Sequence, residues 1–136
     1  AVQQHPNDPE AMYLLARVYA SNGQWTKANA LFKMAYTLSP DTVKYSVNYA
    51  QSLWQVNQQV FTPKVVGIFK LVLSNHPQQP DALSMLALER FQAKDYHGAI
   101  EYWETLLLLI PKQQAEYQTI ERAIVKARAM AQDNTP

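Results

Sequence analysis

Four prolines constrain this chain more than any other feature. Pro6, Pro40, Pro77 and Pro111 each close an apolar helical pattern, and they fall 34, 37 and 34 residues apart. Proline lacks the amide that a helix interior needs, so it marks a stop between helices. Stops at nearly constant spacing indicate an internal repeat. Each interval has room for two helices of three to four turns and their connections. A helix pair of that size cannot bury its apolar face alone, so neighbouring pairs must stack on one another.

A period of about 34 belongs to the tetratricopeptide repeat, with its W-x2-L-G-x2-Y, A-x3-F and P pattern. In a frame starting at residue 9, Met12, Leu15, Ala16 and Tyr19 fall on a first helix, Ala28, Phe32 and Ala35 on a second, and Pro40 closes the repeat. The third repeat, framed from Pro80, has Leu83, Leu86 and Ala87, then Tyr96, Ala99, Trp103 and Leu106, with Arg90 in place of the usual Tyr. In the middle repeat Tyr49, Ala50 and Leu53 fit the first helix, but three extra residues fall within "NQQVFTPKVV". Thr62 before Pro63 restarts a helix there, as a capping hydroxyl before a first-turn proline should. Small residues at the eighth and twentieth positions let paired backbones approach closely.

The predicted fold is all-α, a tetratricopeptide-repeat solenoid of three antiparallel helix pairs over about 9–42, 43–79 and 80–113, forming one domain. A capping helix follows over about 114–131, with Tyr117, Ile120, Ala123, Ile124 and Ala127 on one face. "DYHGAIEYWETLLLLIP" reads as part of this framework: Asp95 is an N-cap, and Ala99, Trp103, Leu106, Leu107 and Ile110 lie on one helical face. The opening "AVQQHP" reads as the end of a preceding helix, which predicts excision from a longer protein.

Several kinds of chemistry are disfavoured. The formal net charge is +1 with both signs interleaved, unlike the basic stripe that binds nucleic acid. The longest apolar run, Leu106 to Ile110, is far short of the roughly 20 residues that span a bilayer. There is no cysteine, and His5, His76 and His97 have no metal-binding spacing. His5 and His76 both precede a closing proline, where a helix C-terminus favours an imidazolium. The glycines are Gly23, Gly67 and Gly98, too dispersed for a phosphate loop, and Gly23 suits the left-handed position at a helix end. Glu101 and Glu104 pair on one helix, but nothing marks the cleft that an acid and base require. No enzyme activity, metal or cofactor is expected.

The expected function is binding. The first helix of each pair lines the concave side of such a stack. This places Tyr13 and Arg17 from repeat one, Val47, Gln51 and Trp54 from repeat two, and Ser84, Leu88 and Phe91 from repeat three in a peptide groove. An apolar groove of this kind suits an amphipathic helix. For Trp54 and Phe91 the alternative is packing against a neighbouring helix. Repeats that clamp a C-terminal carboxylate use Lys and Asn at set groove positions. Asn48 occupies one of these, but Tyr13 and Arg17 stand where Lys and Asn would be. Arg17, Lys44 and Arg122 offer a less specific attraction for a carboxylate.

The stretch "DALSMLALERFQAKDYHGAIEYWETLLLLIP" with "IERAIVKARAMA", the opening "QQHPND" and the middle connection ending in "TP" resemble the repeat domain of the CcmI/NrfG family. These are subunits of the haem lyase that attaches haem to c-type cytochromes. The resemblance spans essentially the whole chain and is most specific over residues 81–103. It implies a periplasmic adaptor that holds the C-terminal helix of an apocytochrome c, or of an apo nitrite reductase, for haem attachment. It further implies other haem lyase subunits as partners, an N-terminal membrane anchor outside this chain, and no haem held by the domain itself. The alternative is a general scaffold that bridges folded partners through its convex face.

Overall fold

The computed structural model describes residues 7–133, so the expectations placed on His5, Pro6 and the opening "QQHP" lie outside the described residues. Seven helices follow in chain order: α1 (Pro9–Ser21), α2 (Trp25–Leu38), α3 (Val43–Val56), α4 (Pro63–Asn75), α5 (Pro80–Gln92), α6 (Tyr96–Leu107) and α7 (Ala115–Asp133). Among the described residues there is no strand. Three helix pairs and a terminal helix are thus present, as the proline frame predicts.

Local chemistry starts these helices. The Asp8 carboxylate accepts from the Glu10 and Ala11 amides ahead of Pro9, and the Gln79 side-chain oxygen accepts from Ala82 at 2.8 Å ahead of Pro80. Thr62 Oγ1 accepts from the Val65 amide at 3.3 Å, and Asp95 caps α6 by accepting from Gly98 at 3.0 Å. Each satisfies a donor that a helix start leaves open. At Gly98 an added Cβ would lie 2.5 Å from Asp95 Oδ2, so a larger residue there would force the capping carboxylate to shift.

All three first helices end in the same way. The residue six from the start of the turn donates back to its first carbonyl: Gln24 to Tyr19 at 2.9 Å, Gln59 to Trp54 at 2.8 Å, and Asp95 to Arg90 at 2.9 Å. This closure needs one left-handed residue. Gly23 supplies it at φ +75° in repeat one, whereas Gln58 at +59° and Lys94 at +63° supply it in the other two. Gln59, at +62°, adds a second left-handed residue in the long middle connection.

The described residues divide into two compact units, the first ending at Val72 and the second beginning at Leu73. In the first, α1 packs on α2 and α2 on α3. Ala16, Ala28, Ala35 and Ala50 are fully buried there, letting bulky Met12, Phe32 and Phe69 fill the gaps. Burying each such side chain contributes about 1.5–3 kcal/mol. In the middle repeat Val65 and Val72 take the places of small residues and are buried themselves. Leu15, expected in the framework, is 37 % exposed.

In the second unit α5 packs on α6 and α6 on α7. Leu83, Tyr96, Ile100, Leu106, Ile120, Ile124 and Ala127 form its core, with Phe91, Trp103, Leu109 and Ile110 at the edge. Of the face expected in this segment, Ala99 is buried and Trp103, Leu106, Leu107 and Ile110 pack on the core, but they do not lie on one continuous helix. α6 stops at Leu107, and Leu108, Leu109 and Ile110 donate to carbonyls three residues back, which tightens the backbone. The tightening turns Leu109 and Ile110 onto the core and leaves Leu108 85 % exposed.

Candidate functional site

In the N-terminal unit the expected groove residues separate into a covered set and an open set. Tyr13 is buried between the rings of Phe32 and Tyr45, at 5.8 and 5.3 Å, with Lys44 Nζ 4.9 Å above its own ring. Val47, expected in the groove, is only 2 % exposed. The reason is that α3, an internal helix, buries six residues, where α1 buries three. Trp54 is half-buried against Phe61 at 5.6 Å, and its indole Nε1 is buried with no hydrogen-bond partner among the described residues.

Lys44 is also unlike its expectation. Glu10 on α1 receives hydrogen bonds from Lys44 Nζ and from the Tyr45 hydroxyl at 2.7 Å, joining α1 to α3. The bonds from Lys44 and then Tyr45 hold the Glu10 carboxyl below its usual range. Burial first, and Glu10 second, push the Tyr45 phenol up to about 12. A lysine engaged in this way is already neutralised.

The open set forms a cleft of about 270 Å³ between α1, α2 and α3. Arg17, Ala20 and Ser21 line it from α1, Trp25 and Phe32 from α2, and Asn48 and Gln51 from α3. Arg17 and Gln51, which the repeat frame assigns to the groove, both line this cleft. Trp25 was not anticipated, because it begins a second helix, and the frame assigns groove positions only to first helices.

In the C-terminal unit, Ser84 is exposed, while Leu88 and Phe91 are half-buried. Phe91 meets Tyr96 edge-on at 5.4 Å and Trp103 at 5.9 Å, and Lys126 Nζ of α7 sits 5.7 Å from its ring centroid. Phe91 therefore both supports the core and offers an aromatic edge beneath a cation. Arg122 and Lys126, with Gln118, Glu121 and Val125, line a shallow depression of about 580 Å³ on α7. The sequence reading treated α7 mainly as a cap. Carrying the repeat frame past Pro111, with a first helix from residue 114, places Gln118, Arg122, Val125 and Lys126 at groove positions.

Other candidate chemistry meets in part: His97, Glu101, Glu104 and Arg128 line one open depression of about 500 Å³ between α6 and α7. Glu101 and Glu104 are exposed, and Glu104 pairs with Arg128 at 3.6 Å. His76 and His97 are also exposed. Among the described residues no cluster is placed to hold a metal ion, and no helix is long and apolar enough to cross a membrane.

The helix pairs, their shared turn and their faces of half-covered aromatics define a tetratricopeptide-repeat protein. The fold is shared with a solved structure described as "First TPR of Spaghetti (RPAP3) bound to HSP90 peptide SRMEEVD". The TM-score is 0.73 at 17% identity, over 89% of this chain and 95% of that one. Within this class the chain belongs to the family described as "Cytochrome c-type biogenesis protein H TPR domain", whose model matches residues 1–117. It is 28% identical over 127 residues to a putative cytochrome c-type biogenesis protein CcmH of Haemophilus influenzae, covering 93% of this chain and 28% of that protein. It is 26% identical over 128 residues to the cytochrome c-type biogenesis protein CycH of Pseudomonas aeruginosa, covering 94% and 31%. The chain thus spans about a third of the length of these relatives.

Proposed function

We propose that this chain is a peptide-holding module of c-type cytochrome maturation. In this reading it captures the amphipathic C-terminal helix of an apocytochrome c, or in a CcmI/NrfG-type assembly that of an apo nitrite reductase, and keeps it available to the haem lyase. The module acts in the periplasm as part of a longer, membrane-anchored protein, beside other lyase subunits, and does no chemistry of its own.

The observation that carries this reading is that each unit, taken by itself, presents an open surface that includes its first helices. The N-terminal unit presents a polar, cationic cleft, and the C-terminal unit presents Leu88 and Phe91 beneath Lys126. An amphipathic helix offers both an apolar stripe and charged flanks to such surfaces. Support also comes from the family and from the solved relative that carries a bound peptide on the same fold.

The test is a titration of the chain with a labelled 20-residue C-terminal peptide of a c-type cytochrome. Binding at micromolar affinity or tighter is expected, with Phe91→Ala weakening it several-fold; absence of binding removes this reading. A second reading is a scaffold that bridges folded partners through the second helices. The exposed Met34 and Leu38, one turn apart on α2, favour it. It predicts that Met34→Glu abolishes partner capture while Phe91→Ala leaves capture intact.

A further inference from the structure

The second helices of the N-terminal unit, α2 and α4, carry the same outward pattern, and internal packing does not call for it. Inward, Ala28, Phe32 and Ala35 on α2 and Val65, Phe69 and Val72 on α4 are buried, as the repeat requires. Outward, a lysine, a small residue, a second lysine and an adjoining apolar residue recur at one spacing. They are Lys27, Ala30, Lys33 and Met34 on α2, and Lys64, Gly67, Lys70 and Leu71 on α4, 37 residues further on. At 3.6 residues per turn each set falls within about 120° of its helix. All are exposed, Met34 at 46 % and Leu71 at 59 %. The third repeat lacks the pattern: the matching positions hold Gly98, Glu101, Glu104 and Thr105, so the fold itself accepts carboxylates there.

We infer that the outer face of α2 and α4 is a docking surface for an acidic amphipathic helix of a partner protein. This face is separate from the inner one, so it stands whether or not a peptide is held there; it rests on the bridging use of the second helices. The two helices converge on one ring: Tyr36 of α2 stacks on Tyr49 of α3 at 5.2 Å, and Lys64 Nζ of α4 lies 5.7 Å from the centroid of Tyr49.

Charge selects the partner. Neither α2 nor α4 contains an acidic residue. Lys27 rests 5.5 Å from the Tyr19 ring centroid, as Lys64 does on Tyr49, which holds each ammonium in place without neutralising it. Among the described residues none of the four lysines makes an ion pair. Lys44 is different, because Glu10 already occupies it. A carboxylate arriving at the outer face therefore displaces no internal acid, and complementary charge fixes which partner docks and in what register.

Gly67 favours a helix over a bilayer as the occupant. Glycine weakens a helix interior, and a Cβ built at Gly67 would meet nothing within 4 Å, so nothing inside the unit requires its absence. A small residue on an open helix face lets a second helix approach closely. Lipid headgroups gain nothing from it. Ala30 holds the same place on α2, and Met34 and Leu71 stand beside these small residues as apolar anchors for the incoming helix.

The experiment uses two labelled 20-residue helical peptides with the same leucine stripe, one flanked by glutamates and one by lysines. Vesicles of equal parts phosphatidylglycerol and phosphatidylcholine form a third arm. The wild-type chain should bind the glutamate peptide about tenfold tighter than the lysine peptide. Lys33→Glu with Lys70→Glu should remove that preference, whereas Lys94→Glu with Lys112→Glu, the same change in net charge, should keep it. Gly67→Leu should weaken the glutamate peptide about fivefold without lowering the thermal melt, since the added side chain meets only open space. Phe91→Ala should leave this binding unchanged. No preference for the glutamate peptide, equal binding by Gly67→Leu, or loss with Phe91→Ala overturns the docking surface. Vesicle binding that follows Lys33 and Lys70 but ignores Gly67→Leu, with no selective binding of the glutamate peptide, assigns the face to a membrane and overturns it too. Failure of the cytochrome peptide to bind, with these results intact, removes the inner-face reading and leaves the outer face standing.

Discussion

Arg17 in the N-terminal unit and Arg90 in the C-terminal unit stand two positions apart in the repeat frame and meet opposite surroundings. Arg90 replaces the framework Tyr near the end of its helix, where the next helix begins. There Glu89 Oε2 lies 2.6 Å away and the N-cap Asp95 3.2 Å away, and together they raise the affinity of the guanidinium for its proton. Arg17, half a turn earlier on its own helix, looks across to α3, and no acid reaches it. One arginine ties a turn together; the other is left facing solvent with its donors unspent. Sequence proximity to a turn, rather than residue type, decides which role a cation takes here.

The comparison is tested most severely by Phe32→Ala, which removes a buried ring from beneath both Tyr13 and the cleft. It should cost about 3–5 kcal/mol, read as a large fall in melting temperature, and should weaken binding of the cytochrome peptide as well. A stable variant with unchanged affinity would separate the cleft from its aromatic wall. Next in size, Arg90→Gln should destabilise by about 1 kcal/mol in urea titrations, since its partners are only partly covered, with peptide affinity preserved. A loss of peptide affinity without destabilisation would erase the distinction between the two arginines.

Acid and alkali probe the same ties. Asp95 is held below its usual carboxyl range by the Gly98 amide first and then by Arg90, against the opposing pull of burial. Its folded value lies below its unfolded value, so its contribution is present above pH 3.8 and is lost as pH falls further. Arg90→Gln should shrink that acid limb in pH-dependent melts. Tyr45 moves the other way: its phenol is raised from 10.0 to about 12, so its contribution is complete below pH 10 and disappears toward pH 12. Tyr45→Phe should remove the late step from a phenolate absorbance titration. The smallest effect belongs to the turns. Lys94→Gly should stabilise the chain by about 0.5–1 kcal/mol through relief of its left-handed backbone, and Gly23→Lys should lose a similar amount. Equal melting temperatures for both variants and wild type would show that the turn tolerates either residue without strain.

Much of the fold is legible in the sequence because prolines and alanines act locally. Thr62 with Pro63, Asp95 as an N-cap and Ile120, Ile124 and Ala127 as the inner face of α7 all stand where the pattern puts them. What was not legible depends on neighbours. The left-handed positions of Gln58, Gln59 and Lys94 are set by closure of the turn, and no side-chain type signals them. Val47 is covered because an internal helix is packed on more of its circumference. Lys44 is engaged because Glu10, 34 residues earlier, reaches it. The open face of α7 follows from the repeat frame once that frame is carried past Pro111, although the capping role of a terminal helix does not itself signal it.

The recurrent turn has a consequence for how the chain folds. Each of the three closures joins an amide to a carbonyl only five residues back, and each precedes a second helix that returns along the first or continues the repeat. Closing so short a loop costs little chain entropy, and the helix contacts that follow are near in sequence. Native structure can therefore nucleate in any hairpin and spread to its neighbours. Substitutions at Gln58 or Lys94 should alter the rate at which one hairpin forms while leaving the others' rates unchanged, which stopped-flow fluorescence of variants retaining only Trp54 or only Trp103 can follow.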